Sequence, residues 1–485
     1  MRDVIVVGGG VGGLASAALL QAAGHRVLLL EARDYVGGCA ATFHHGGRAS
    51  EAGATWLTGL DPGQPLHRLF ARIGLDADTF GVRETDPMAC VFRGRTVRRY
   101  ADPLEWNQEL ARQFGQDVPR FWTRVHREAR AQWERVERFP ALPPGSAGEW
   151  FRTAGRLRPR DVTLAGALLP TSSLVAAAGL RDLTPLLDAQ LMITTQAPMR
   201  SVPWLYGAPG LDFAALPARF VPGGIGGVAR AIFEQFCVLG GEAALGQRVV
   251  RVTRCGRGWD VETEAGERFG AAHVVMNLTH GAAAEVLPAT EATFFRKRAG
   301  RHPAPWSAFD IHFRQPDVFP PDGPRFFQVV LDEPLPIIGA SSFFVTVSPP
   351  GDPVLSQGNM RNVNLSTHTP VEHWWRVDRE RYHRDKVELT ELLLQKLGEA
   401  LPQFFHEPRE GLHSGTPRTF AQFVGRSNGA VGGFPLTYRN LPWRVPGSQT
   451  PYRGLWQVGD NVFPGQSIPG VAFGAMYLVD KLGAP

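Results

Sequence analysis

Two hydrophobic patterns run along this chain. The first is the unbroken apolar run. Val4 to Val7 opens straight into Gly8-Gly9-Gly10-Val11-Gly12-Gly13, and an Ala/Leu-rich stretch from Leu14 to Ala23 follows. After Gly24 a second run, Val27 to Leu30, is closed by Glu31. Short unbroken runs bounded by glycine belong to strands buried on both faces, and the longer stretch between them to a helix. The second pattern is alternation, over residues 306–315 and 325–367, which predicts strands with one buried face.

Helical periodicity marks residues 104–139, with Trp106, Phe121, Trp122 and Trp133 along it, and residues 383–401. Pro140 to Gly148 breaks the first of these. Between Phe43 and Leu60, the segment Glu51 to Trp56 reads as a turn between short strands. Val221 to Gly227 leads into a helix over Val228 to Leu239, which Gly240-Gly241 ends. A strand is expected at Arg248 to Thr253, a hairpin from Trp259 to Thr263 and Glu267 to Phe269, and a buried strand at His273 to Asn277. Gly454 to Leu482 reads strand, loop, helix. The chain therefore leaves a parallel α/β core early and returns to it later.

The opening block has the order of a dinucleotide-binding βαβ unit: strand, glycine turn, helix, strand, acid. Gly8 permits the tight turn, Gly10 lets the backbone approach a pyrophosphate, and Gly13 lets the helix pack close to the strand. The helix N-terminus then offers free N–H groups to the phosphates. Glu31 falls where a carboxylate accepts hydrogen bonds from both hydroxyls of an adenosine ribose. A 2′-phosphate would be repelled there, so NAD or FAD is expected rather than NADP. The pair Gly37-Gly38, just past the acid, suits a loop crossing close under a bound cofactor.

At 485 residues the chain exceeds one compact core, and 44% hydrophobic with 20% charged residues is globular composition. Cys39, Cys90, Cys237 and Cys255 show no CxxC spacing, which argues against a disulfide framework or a zinc site and fits a reducing compartment. The first strand begins within three residues of the start, so no signal peptide is expected and the location is read as cytoplasmic. The pI of about 9.2 comes from arginine, since lysine stands only at Lys297, Lys386, Lys396 and Lys481. No nucleic-acid motif or long basic run accompanies it, so the balance reflects a GC-rich genome or attraction to an anionic membrane surface. Val162 to Leu180 carries no charge and is flanked by Arg156, Arg158, Arg160 and Arg181, but Pro170 to Ser173 interrupts it. Two short apolar helices, buried or dipping into a bilayer interface, are expected there rather than a membrane span.

Near the end, Leu455 to Gly459-Asp460 is a strand ending in Gly-Asp, and Phe463 to Gly470 runs into a helix. Together with the block through Gly38, Pro222-Gly223-Gly224 and the stretch from Thr416-Pro417 to Gly432-Gly433, this resembles the FAD-dependent carotenoid desaturase and carotene isomerase family. That family is a branch of the amine-oxidase-like flavoproteins, and the resemblance covers nearly the whole chain. It implies an α/β protein with a discontinuous Rossmann-like FAD-binding domain (1–80, 215–300 and 445–485). A β-sheet substrate-binding domain (81–100 and 301–444) and a helical cap with a membrane-contact region (101–214) complete it. The implied FAD-binding set is Gly8, Gly10, Val11, Gly12, Gly13, Glu31, Ala32, Arg33, Gly37, Gly38, Val249, Val250, Gly459, Asp460, Pro469, Gly470 and Val471. By resemblance Asp460 would hold the ribityl-pyrophosphate part, and the backbone at Val249 and Val250 would contact the adenine. The helix start near Gly470 would face the flavin N1–C2=O edge, where a helix N-terminus stabilises the charge of the reduced ring. Many amine oxidases have an arginine just after the glycine pair. Here Cys39 stands there, which looks more like isomerase-type and 3,4-desaturase-type members.

The implied activity is desaturation of a carotenoid, at C-3′,4′, with hydride passing to flavin N5 and a proton lost. The alternatives are cis–trans isomerisation or saturation of a polyene at the same flavin, amine oxidation, which Cys39 disfavours, and a non-enzymatic carotenoid-binding flavoprotein. The sequence does not identify the electron acceptor, for which a quinone and oxygen are the candidates. A polyene has few polar handles, so a long apolar tunnel is expected, with Trp374-Trp375 and Trp204-Leu205-Tyr206 as candidate walls. No Ser-His-Asp arrangement or metal-ligand cluster is recognisable, which leaves the redox step to the flavin. Candidate proton-handling groups are Glu51, His44, His45 and Arg48, in the loop after the glycine pair.

Overall fold

The runs Val4–Val7 and Val27–Leu30 lie side by side in parallel, Val4 opposite Val27 and Val7 opposite Leu30. The computed structural model describes residues 2–483 except 85–87, 140–141, 157, 159–163, 214–217, 321–322, 357 and 406–408. Around the first pair a seven-stranded sheet is ordered Val249–Cys255, Gly258–Thr263, Arg268–Met276, Arg2–Val7, Val27–Leu30, Glu242–Ala244. Leu455–Gln457 adds in parallel to the end of Arg268–Met276. Val4, Val6 and Leu29 join a core with the helices Val11–Ala22, Gly226–Val238 and Ile468–Leu482. Ile5, Val7 and Leu28 join another with the helices His280–Val286 and Ala289–Arg301. Successive side chains point to opposite faces, so covering both faces is what makes the runs unbroken.

Three local expectations are corrected. Glu267 to Phe269 and His273 to Asn277 are not separate strands: Arg268–Met276 is continuous, and Asn277 lies just beyond it. Its first half pairs antiparallel with Gly258–Thr263 and its second half parallel with Leu455–Gln457, so one strand serves a hairpin and the parallel core. Glu51 is not in a turn. It ends the strand Arg48–Glu51, whose hairpin with Thr42–His45 turns at Gly46-Gly47, both at positive φ. The helical stretch 104–139 is two helices, Pro103–Phe114 and Asp117–Arg138, separated at Gly115, where φ is +93°. The Asp102 carboxylate starts the first by accepting the N–H groups of Leu104 and Glu105.

The second sheet, also seven-stranded, runs Glu410–Gly415, Trp306–Pro316, Met360–Pro370, Ser342–Val347, Phe326–Val330, Met88–Phe92, Arg95–Arg99. One face is apolar: Phe309, Ile311, Val345, Val363 and Leu365 pack on Leu389, Leu393 and Leu397 of the helix Arg379–Ala400. Those leucines recur every four residues, one stripe of the helix. The alternate positions of the same strands include Asp310, His312, Gln328, Ser342, Asn364, Ser366 and His368. This face is polar.

The helices between residues 103 and 212 form the third layer. Trp106 and Trp122 meet edge-on at 5.3 Å, with Phe121 and Trp204 in the same core. The uncharged stretch gives two short helices, Leu164–Ala167 and Thr171–Ala177. Leu174, Val175 and Leu180 are buried, while Leu168 and Leu169 are exposed. Pro140, Arg160 and Val162 lie outside the described residues. No helix among the described residues is long and apolar enough to cross a membrane.

Candidate functional site

One cleft of about 1290 Å³ runs from the glycine turn, between the two sheets, to the helical layer. Ligand pockets usually measure about 300–1000 Å³, so this one has room for a dinucleotide and a second molecule.

The cofactor end is shaped by backbone. Strand Arg2–Val7 hands over to Gly8 at φ +100°, whose N–H bonds to Leu30 O. A Cβ on Gly13 would lie 2.0 Å from Gly8 O, so Gly13 sets how closely helix and strand pack while not itself lining the cleft. A Cβ on Gly10 would meet Asn277 Nδ2 at 2.8 Å, and one on Gly12 would meet Asn277 Oδ1 at 3.0 Å. Asn277, which also donates to Gly8 O, is therefore part of the turn, although no sequence motif marked it. The helix Val11–Ala22 has no acidic residue in its first turn, and Val11 and Gly12 line the cleft, which leaves its positive end unopposed for phosphates. Glu31 is oriented by the N–H groups of Gly9 and Arg33, one on each carboxylate oxygen. Each oxygen keeps a second lone pair for a ribose hydroxyl.

Ala32, Arg33, Gly37, Gly38, Val249, Val250, Gly459, Asp460, Pro469, Gly470 and Val471 also line the cleft, as do Gly8, Gly10 and Glu31. Asp460 is not isolated. Arg426 donates to its Oδ2 at 2.7 Å and Asn461 to its Oδ1 at 2.8 Å. Arg426 also bonds Ala430 O and sits beside Cys39, so a guanidinium occupies the space next to the glycine pair although residue 39 is cysteine. Burial pushes the Cys39 thiol up, with Arg426 opposing, which keeps it a protonated thiol. Arg426 lies in the stretch that carries the family resemblance, but nothing local in the sequence assigned it a role. At the final helix, Ser467 Oγ accepts the Gly470 N–H at 3.0 Å, so that amide is already engaged.

The other end is walled by side chains. Trp56 stacks on Phe326 at 5.2 Å and on Phe344 at 5.7 Å, and Phe213, Leu205 and Ile193 add apolar wall. The wall is not the wholly apolar tunnel expected, because the polar sheet face contributes Gln328, Ser342, Ser366 and His368. Leu205 and Tyr206 line the cleft, but Trp204 is fully buried in the helical core, its Nε1 bonded to Glu128. Trp374 is buried on the opposite, apolar face of the sheet, and Trp375 is exposed with its indole bonded to Asn428 O. Neither forms a wall.

The suggested proton-handling residues do not meet the cleft. His44 and His45 are exposed at the hairpin tip, and Arg48 points toward Gly411. Glu51 is buried at the seam between hairpin and second sheet, where Oε1 accepts the Ile225 N–H at 2.8 Å. Burial raises its pKa to about 8. The hairpin carries these residues away from the glycine pair to the far side.

This fold, with a carboxylate, a glycine turn and a helix N-terminus at one end of a long cleft, defines a dinucleotide-binding protein with room for a second ligand. The chain belongs to the flavin containing amine oxidoreductase family, whose profile matches residues 11–464. Prolycopene isomerase 2, chloroplastic, from an Oncidium hybrid cultivar is 24% identical, covering 99% of this chain and 84% of that protein. Polyamine oxidase 2 of Arabidopsis thaliana is 43% identical, but over only 15% of either chain. Among solved structures, wild-type putrescine oxidase bound to putrescine superposes with a TM-score of 0.64 at 16% identity over 99% of both chains, a likeness of fold. FAD is the cofactor.

Proposed function

We propose that this protein is an FAD-dependent oxidoreductase that desaturates a carotenoid-type polyene, with C-3′,4′ as the first candidate bond. The observation that supports this reading is the extent of similarity: prolycopene isomerase 2 aligns along 99% of the chain, whereas polyamine oxidase 2 aligns over 15% of it. Bound FAD supplies the hydride acceptor. Glu31 holds the ribose, the first helix and its glycine turn hold the pyrophosphate, and Asp460 with Arg426 anchors the chain beside them. The aromatic wall from Trp56 to Phe344 positions an extended apolar substrate and excludes water.

A second reading, redox-neutral cis–trans isomerisation, is favoured by the name of the full-length relatives. The two differ by two hydrogens. Purified protein saturated with FAD is incubated with an acyclic carotenoid in liposomes, with a quinone or oxygen as acceptor. Desaturation gives a product two mass units lighter with a red-shifted spectrum. An unchanged mass with a new isomer pattern overturns it in favour of isomerisation.

The same reading requires collection of the substrate from lipid. Trp150 and Phe151 are 50% and 78% exposed on the helix Ala147–Ala154, and the chain carries a net charge of +5. Such a surface suits peripheral contact with an anionic bilayer. Co-sedimentation with anionic liposomes should exceed that with neutral ones and weaken with salt. Unchanged binding after Trp150→Ser with Phe151→Ser would exclude this helix as the contact.

A further inference from the structure

The polar face of the second sheet has a use that the hairpin residues do not. His368 lines the cleft from the strand Met360–Pro370, directly opposite Ala308, with its ring edge-on to Trp306 at 6.4 Å. Neither ring nitrogen makes a hydrogen bond to any described residue. Three other ionisable groups of the cleft are engaged: Asp460 with Arg426, Asp212 with His126, and the Tyr206 hydroxyl with Asn440 O. His368 also stands at the right end. The adjacent strand begins where Val431 N–H bonds Trp306 O and Ser307 Oγ bonds Gly429 O. That loop reaches Asp460 through Arg426 and packs Gly432 against Gln466, two residues before the final helix.

We propose that His368 is the catalytic base that takes the proton from the polyene. The proposal rests on the desaturase reading given above. One C–H bond breaks with its electron pair leaving as hydride to the bound flavin. The adjacent C–H bond breaks with its proton passing to the free imidazole nitrogen, and the pair left behind becomes the new C=C bond. The imidazolium returns its proton to water, and two electrons leave to a quinone or oxygen. Burial lowers the His368 pKa to about 4, so the ring is neutral at ordinary pH, and as a weak base it takes the proton once hydride departure has left a cation beside that C–H bond.

The test is a single turnover without oxygen, in which FAD-loaded protein is mixed with an acyclic carotenoid and the loss of flavin absorbance is timed. His368→Ala should keep the parental FAD content and slow flavin reduction about a hundredfold, the scale of general-base catalysis. Added imidazole should restore part of the rate, which a merely structural role would not allow. His368→Gln keeps size and polarity without a basic nitrogen and should be equally slow. If either folded, FAD-loaded variant reduces its flavin within threefold of the parent, the assignment is wrong. If the parent desaturates nothing, the functional reading falls and this assignment with it.

Discussion

The two sheets solve opposite problems. In the first, both faces of the central strands are covered by apolar packing, and the ligand is met by backbone at the strand ends, through Gly8, Gly10 and Gly12. In the second, one face is apolar and packed on a helix, while the other brings Gln328, Ser366 and His368 from two of its strands to the cleft. The first sheet depends on the absence of side chains at a few positions, the second on their identity. Substitutions should therefore damage structure at the cofactor end and chemistry at the other.

Gly13→Val should have the largest effect. A Cβ there would sit 2.0 Å from the carbonyl oxygen of Gly8, so helix and strand must separate. Overpacking usually costs about 1–3 kcal/mol, and this contact is backbone, which cannot swing aside. The purified variant should retain no FAD, read from flavin absorbance after gel filtration. Ser366→Val, on the polar face of the second sheet, should stay within about 1 kcal/mol of the parent in denaturant, because a β-branched residue suits a strand. A comparable loss at both positions would erase the contrast.

Arg426→Ala should come next. Arg426 and Asp460 pair at 2.7 Å with side chains 14% and 17% exposed. Removing one partner of a buried pair strands the other charge and costs about 3–5 kcal/mol. Asp460→Asn in the same chain should recover part of the loss in denaturant unfolding, because no uncompensated carboxylate remains. No recovery would mean that Arg426 acts through Ala430 and Cys39 instead.

The first sheet was readable in the sequence because its signals are local. Gly8 to Glu31 gives the turn, the helix and the acid within one stretch, and the unbroken runs reveal strands covered on both sides. Gly459-Asp460 was readable locally as the end of a strand, and its place beside the cofactor came from the family resemblance. What stayed hidden depends on strands far apart in the chain. Asn277 enters the turn only because Arg268–Met276 runs parallel to Arg2–Val7. Arg426 reaches Asp460 across 34 residues. His368 looks like any alternate position in a strand until the ladder sets it opposite Ala308. Proximity to the glycine pair suggested Glu51 and its neighbours instead, and the turn at Gly46-Gly47 carries them away from the cleft.

Glu51 supplies the smallest effect and a test of that seam. Its carboxyl is buried between hairpin and second sheet, where burial and the like charge of Asp352 outweigh the opposing hydrogen bond from the Ile225 N–H and hold its pKa up at about 8. His312, which lines the same small cavity, is neutral above about pH 3 and adds no opposing charge. In the unfolded chain a glutamate titrates near 4.3. Between about pH 4.3 and pH 8 the folded state therefore holds a proton that the unfolded state has released, and stability falls as pH rises through that window. The slope from this one group is at most about 1.4 kcal/mol per pH unit. Glu51→Gln keeps an oxygen for the Ile225 N–H and has no proton to lose. Its stability relative to the parent should be near parity at pH 5 and rise steadily toward pH 8, measured by urea unfolding at several pH values. Parallel pH profiles for parent and variant would show that Glu51 stays ionised in the fold, and the seam would then need a counter-charge that the geometry around Ile225 does not provide.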